Sequence, residues 1–301
     1  MMIRLSASIL LPLALATQAA PTLRPDPPKA CFDCDEWNAA QEGFRLFGNT
    51  YYVGTAGLSA LLVTSDAGHV LLDGGLPQSA ARIDANIRAL GFRTEDVRFI
   101  LASHAHYDHV GGIAALQRLS GATVAMSAAG VRALAGGGPT PDDPQYGIGV
   151  EANAFPPVVG ARAVADGETI RVGPLAITAH LTPGHTPGGT SWSWRSCEGD
   201  RCVDVVYADS LTAVSADGFR FTGGDGRPDI TPVFMKSIDT VGALGCDIIV
   251  STHPGATGLA RKIARRDAGA GPEAFVDPGG CRAYAAGARR ALERRIAEER
   301  P

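Results

Sequence analysis

The chain has 301 residues, 45% of them hydrophobic, which is enough for one large domain or two fused halves around a substantial core. Its formal charge of −4, with lysine only at Lys29, Lys236 and Lys262, provides no clustered-cation surface for a phosphate backbone, so nucleic acid is excluded as a partner. The arginine run Arg289, Arg290, Arg294, Arg295 is interspersed with Glu293, Glu298 and Glu299 and reads as a solvated helix face.

Residues 1–20, MMIRLSASILLPLALATQAA, read as a secretory signal: Arg4 supplies the positive start, Ile9 to Ala16 the apolar stretch, and Thr17 to Ala20 a small-residue exit. That stretch, like every later one, falls short of the ~18 apolar residues that a spanning helix needs. The expectation is an exported chain that begins near Ala20 or Pro21 and is not embedded in a membrane. A Pro-rich arm follows over 21–44, and 45–301 reads as a single domain.

In chain order, YYVGTAGLSALLVTSDAGHVLLDGG predicts several short strands punctuated by glycine. SAARIDANIRALG carries Ile83, Ile87 and Leu90 at helical spacing and stops at Gly91. VRFILAS predicts a strand, SHAHYDH a loop and GGIAALQRLSG a helix. Segment 135–157 is too rich in Gly and Pro for regular structure, a feature of functional or mobile loops. The second half repeats this grammar: TIRVGPLAITAHLTPGH is strand-turn-strand ending at a histidine, VDVVYADS and CDIIVSTHPGA are strands ending in polar turns, and the last helix aligns Cys281, Tyr284, Ala288, Leu292 and Ile296 on one face. ILASHAH and IIVSTHP each deliver a histidine at a strand end, which predicts two related halves with the site at the edge between them.

Six cysteines fit an exported chain, where disulfides persist. Cys197 and Cys202 bracket EGDR between TSWSW and VDVVY, so a hairpin would bring them face to face. Cys31 and Cys34 lie close in the arm, which leaves Cys246 and Cys281.

Three of the seven histidines and one aspartate fall within the six residues His104–His109. Alternation in an extended segment points His104 and His106 the same way, so both can hold one ion. Asp108 and His109 fall at the turn into a helix and can face a second. Neutral imidazole and carboxylate are the donors that zinc takes, and a catalytic ion keeps a position open for water. His185 in TPGHTPGG and His253 in STHPG, each after a strand, supply the third donors. His69 and His180 read as structural.

HAHYDH, PGHTPGG, ADSL and the late THP together resemble the metallo-β-lactamase superfamily, from about Tyr51 to the C-terminus. GNTYYVGT, PGHTPGGTSWSWRSCEGDRC, VYADSLTA and CRAYAAGARRALE resemble its subclass B3, in particular the AIM-like branch. The resemblance implies an α/β (α+β) fold, the αββα four-layer sandwich of two mixed β-sheets flanked by helices. It assigns His104, His106 and His185 to one zinc and Asp108, His109 and His253 to the other, with Ser210 where other subclasses place a ligating cysteine. It implies periplasmic hydrolysis of β-lactam amides (penicillins, cephalosporins, carbapenems) by a hydroxide that the two zinc ions generate, with Asp108 orienting the nucleophile. The expected partners are small-molecule substrates only, and monomer is the default state.

On the same resemblance, Ser210 and Thr212 are candidates to bind the substrate carboxylate, and Gln145 to donate to the oxyanion or hold the water. Asp73 and Asp209 are candidates to steady metal-binding histidines. Trp37 is placed to overhang the site, and at least one of Trp192 and Trp194 reads as core. The branch expects a cysteine where Ala56 stands, so Cys34 becomes the candidate partner of Cys31. Thioesterases of the glyoxalase type and lactonases in the same superfamily share the motif set and use an aspartate at a position like Asp209 to bridge two metals. The alternative therefore turns on whether Asp209 sits among the metal donors.

Overall fold

Side chains on successive strand residues point to opposite faces, and here both faces are covered. Leu61, Val63, Val70, Leu72, Val205, Tyr207, Ile248 and Val250 enter one central core. Their neighbours Leu62 and Leu71 enter a second core, and Val206 and Ile249 a third. Strands buried on both faces read as continuous apolar runs, which is how VLL in HVLL and IIV in IIVS appear in the sequence, whereas VRFIL is interrupted by the exposed Arg98.

The computed structural model describes residues 22–300 apart from residue 225, so the signal sequence expected at 1–20 lies outside the described residues. One sheet takes its strands in sequence order, β1 (Phe44–Phe47), β2 (Thr50–Tyr52), β3 (Leu61–Val63), β4 (His69–Leu72), β5 (Val97–Leu101), β6 (Thr123–Ser127) and β7 (Arg162–Val164). It is antiparallel from β1 to β4 and parallel from β4 to β7. The other sheet contains β8 (Thr169–Val172), β9 (Leu175–Leu181), β10 (Thr190–Glu198), β11 (Arg201–Ala208) and β12 (Ile248–Ser251), in the order β12-β11-β10-β9-β8. Only its β11–β12 pair is parallel. Both sheets are therefore mixed.

The central core lies between the sheets, with Trp192 and Trp194 both inside it. Trp192 Nε1 donates to Ala102 C=O and Trp194 Nε1 to Thr50 Oγ1, so neither indole lines a pocket. The helices Ser79–Ala89, Ile113–Ser120 and Ala128–Gly136 cover the outer face of the first sheet. The helices Thr231–Ala243 and Gly280–Glu299 cover that of the second. Four layers result, helix-sheet-sheet-helix.

Helix Ser79–Ala89 buries Ile83 and Ile87 and ends where Gly91 takes φ +86°. Strand β6, helix Ala128–Gly136 and helix Thr231–Ala243 were not expected from the sequence. The histidine segment departs from a plain loop, because Tyr107–Val110 forms one helical turn. Segment 135–157 is irregular except for the helical ends and turns at Ala128–Gly136, Tyr146–Ile148 and Val150–Asn153. Cys31–Cys34, Cys197–Cys202 and Cys246–Cys281 are paired as disulfides. Arg295 does more than face solvent, since its guanidinium donates to Phe219 C=O and Ser215 Oγ as well as pairing with Glu299. No helix among the described residues is long and apolar enough to cross a membrane.

Candidate metal centre

Six side chains meet where strands from both sheets end. The loop after β5 carries His104, His106, Asp108 and His109, the loop after β9 carries His185, and the loop after β12 carries His253. The donor atoms fall into two groups, His104/His106/His185 and Asp108/His109/His253, each with its atoms within 4.8 Å of one another. Five of the six are buried, and His253 is partly open.

In the first group, hydrogen bonds on the outer side of each ring decide which nitrogen faces inward. His104 Nδ1 contacts Asp209 Oδ1 at 2.7 Å, which leaves Nε2 buried with no hydrogen-bond partner. His185 Nδ1 is 2.9 Å from Thr212 C=O and 3.1 Å from Thr212 Oγ1, again leaving Nε2. His106 is reversed: Nε2 lies 3.3 Å from both oxygens of Asp143, so Nδ1 is the free donor.

In the second group, Asp108 Oδ2 is 3.0 Å from His109 Nε2 and 3.2 Å from His253 Nε2, and the two Nε2 atoms are 3.2 Å apart. Ligands at about 2.0 Å from a tetrahedral ion are separated by about 3.3 Å. A metal fits this donor set.

The electrostatics agree. Burial, followed by the neighbouring imidazoles, lowers His104 well below the ordinary histidine range. Burial and the adjacent His106 push His185 down to about 3. Both rings are neutral at pH 7, the form that binds metal. Burial alone would raise the Asp108 carboxyl, but His109 and His253 hold it well below its usual range. It is an anion ready to ligate.

The other expected residues divide. Asp209 lies behind His104, outside both donor groups. Asp73 does not hold a histidine by a hydrogen bond: His109 Nδ1 is 3.9 Å away, beyond reach. The Asp73 carboxylate instead accepts from Ser103 N–H (2.7 Å), Ser103 Oγ (2.6 Å) and Tyr207 OH (2.7 Å). These bonds brace the strand ends and fix Asp73 at φ +58°, the single positive-φ non-glycine residue among the described residues.

Ser210 is buried with its hydroxyl 2.8 Å from Thr252 Oγ1, so it does not face an open pocket. Thr212 is exposed but also orients His185. Gln145 acts through its backbone, taking a cap from Asp143 on its N–H and giving its C=O to Asn153. Trp37 lies beside the centre, its ring 5.3 Å from that of His253 and 6.4 Å from that of Tyr107. His69 packs edge-on against Phe92, and His180 pairs with Ser193, both away from the centre.

Two contributors were missed, Asp143 behind His106 and the carbonyl of Thr212 behind His185. The first left one signal, an acid in the otherwise structureless PTPDDPQYG. The second left none, because any residue has a carbonyl.

Residues 53–253 match the profile described as "Metallo-beta-lactamase superfamily". Among solved structures, the chain is similar to the Rm3 metallo-beta-lactamase, with a TM-score of 0.86 and 52% identity covering 90% of this chain and 99% of that one. It is likewise similar to MEM-A1, a subclass B3 metallo-beta-lactamase isolated from a soil metagenome library, with a TM-score of 0.84 and 52% identity covering 87% of this chain and 98% of that one. Among curated proteins, a hydroxyacylglutathione hydrolase of Anaeromyxobacter dehalogenans (strain 2CP-C) is 32% identical over 141 residues, 46% of this chain. The match spans 44% of that relative, less than half its length.

Proposed function

The chain belongs to the metallo-beta-lactamase superfamily, and from that premise we propose that it is a two-zinc β-lactamase of subclass B3, which opens the amide of penicillins, cephalosporins and carbapenems in the periplasm. The observation that carries the reading is the place of Asp209. The thioesterase and lactonase alternative needs that carboxylate among the metal donors, whereas here it is spent on His104 Nδ1. Identity of 52% along nearly the whole of two β-lactamases, against 32% along part of a thioesterase, points the same way.

Two zinc ions held by the His104/His106/His185 and Asp108/His109/His253 sets would supply Lewis acidity and bring coordinated water to a pKa near 7. The chain's residues then have defined tasks. Asp209 and Thr212 keep the proton on Nδ1 of His104 and His185, so that Nε2 stays a donor to the centre. Asp108 gives Oδ2 to the donor set and leaves Oδ1 to accept a hydrogen bond from the attacking water. Thr212, which is exposed, offers its hydroxyl to the substrate carboxylate, and the Ser210 hydroxyl, held on Thr252 Oγ1, is the second candidate. Gln145, on the loop that carries Asp143, is a candidate donor to the developing oxyanion. Trp37 packs beside His253, with Tyr107 against its ring, so an aromatic surface flanks that side of the centre.

The test is metal dependence of nitrocefin turnover by the purified zinc protein. Activity that disappears with a chelator and returns with zinc supports the reading; activity that survives complete removal of metal contradicts it.

A further inference from the structure

Strand β11 leaves its sheet at Ala208, where Ala208 C=O accepts the last sheet bond from Thr252 N–H. The next four residues do much of the work of the three-histidine half-site. Asp209 holds His104 through its side chain, and Thr212 holds His185 through its carbonyl and hydroxyl. Yet among the described residues, Asp209–Thr212 makes no main-chain to main-chain hydrogen bond. A segment that sets the aim of two metal donors is not fixed by the sheet it extends.

What fixes it comes from the other end of the chain. Tyr284 OH donates to Asp209 C=O at 2.8 Å and accepts from Leu211 N–H at 3.3 Å, so one hydroxyl clamps both sides of Ser210. Among the described residues, the segment's other main-chain bonds are Asp209 N–H on Ser191 Oγ at 3.0 Å and Thr212 C=O on the His185 ring that it orients. Tyr284 is itself held in place. It lies in the first turns of helix Gly280–Glu299, three residues after Cys281, whose disulfide to Cys246 ties that turn to the loop before β12. Residues three apart on a helix share a face. Tyr284 is partly buried and packs against the core under the second sheet.

We propose that Tyr284 is a positioning residue for the three-histidine half-site, acting through the main chain of Asp209–Thr212. The proposal rests on the reading of His104 and His185 as zinc ligands. Without the hydroxyl, Asp209 C=O and Leu211 N–H lose their partner and the segment can shift, carrying the acceptors of His104 and His185 with it. The donor atoms are unchanged; their preorganisation is what is lost.

The experiment compares zinc binding by apoprotein in competition with a chromophoric chelator, for the wild type, Tyr284→Phe and Ala288→Gly. The Phe variant keeps the ring and removes only the clamp. The Gly variant weakens the same helix one turn further on and keeps the Tyr284 hydroxyl with both of its bonds to the segment. Tyr284→Phe should weaken the binding step that His185→Ala abolishes by about tenfold, as removal of an outer partner of a metal-binding histidine does. The other step should be unchanged. Ala288→Gly should lower Tm and leave both zinc affinities alone. Wild-type affinity in Tyr284→Phe, or equal losses at both steps in the two variants, overturns the proposal. A wild-type chain that binds no zinc overturns this proposal together with the metal reading beneath it, so the two failures are distinguishable.

Discussion

The Asp209 carboxylate and the His104 imidazole face each other at 2.7 Å in a contact closed to solvent, with the second carboxylate oxygen left unpartnered. Burial, and then the charge of nearby Asp73, raise the Asp209 carboxyl well above its ordinary range. The fold tolerates an uncomfortable buried acid at this place, a trade of stability for function. Asp209→Ala should lower kcat/KM and zinc retention 10- to 100-fold, the range for losing a histidine's outer partner. The Tm of its apoprotein should hold or rise. Elemental analysis after gel filtration and a melting curve check both; full zinc retention in the variant contradicts the role.

Asp143 has the same task behind His106, but through two long contacts of 3.3 Å. Long contacts are weaker, so Asp143→Ala should cost less than Asp209→Ala, roughly tenfold in kcat/KM. A larger loss than that of Asp209→Ala would show that this ranking by distance is wrong.

The site shows where sequence is sufficient and where it is not. Ligand residue types crowd into HAHYDH and recur after two later strands, so the six donors can be read from spacing alone, and the apolar runs that bury both faces mark most strands. Partnerships made across distant segments leave no such trace. Ser210 is adjacent to Asp209 in sequence, but its hydroxyl is claimed by Thr252 on the neighbouring strand's loop, 42 residues away. Asp73 is spent on Ser103 and Tyr207 rather than on a histidine, which depends on how β4, β5 and β11 come together. The strand TVAMS and the helix Thr231–Ala243 escaped because their apolar residues are few or interrupted by polar ones that only the folded neighbours bury.

The disulfides should differ in worth. Cys246–Cys281 closes a loop over a separation of 35 residues and Cys31–Cys34 over 3. Chain entropy gives about 4 kcal/mol for the first and about 2 kcal/mol for the second. Double Cys→Ser variants compared by urea denaturation should follow that order. Equal or reversed losses would contradict it.

Lys262 is buried, its ammonium bears no hydrogen bond, and its nearest acid, the half-exposed Asp277, is 3.7 Å away. Burial lowers its pKa from 10.5. Between the lowered folded value and 10.5 the unfolded chain binds more protons, so this residue makes stability rise with pH. Lys262→Met should therefore raise Tm near pH 7, with the gain shrinking as pH approaches 10.5. A gain that grows with pH would contradict this assignment.

The central claim is the substrate, and it is tested most directly by kcat/KM of one zinc-loaded preparation on nitrocefin, a carbapenem, an acyl-homoserine lactone and a glutathione thioester. The account predicts efficient opening of the two β-lactams, with the lactone and thioester slower by orders of magnitude. Turnover confined to the lactone or the thioester would contradict it.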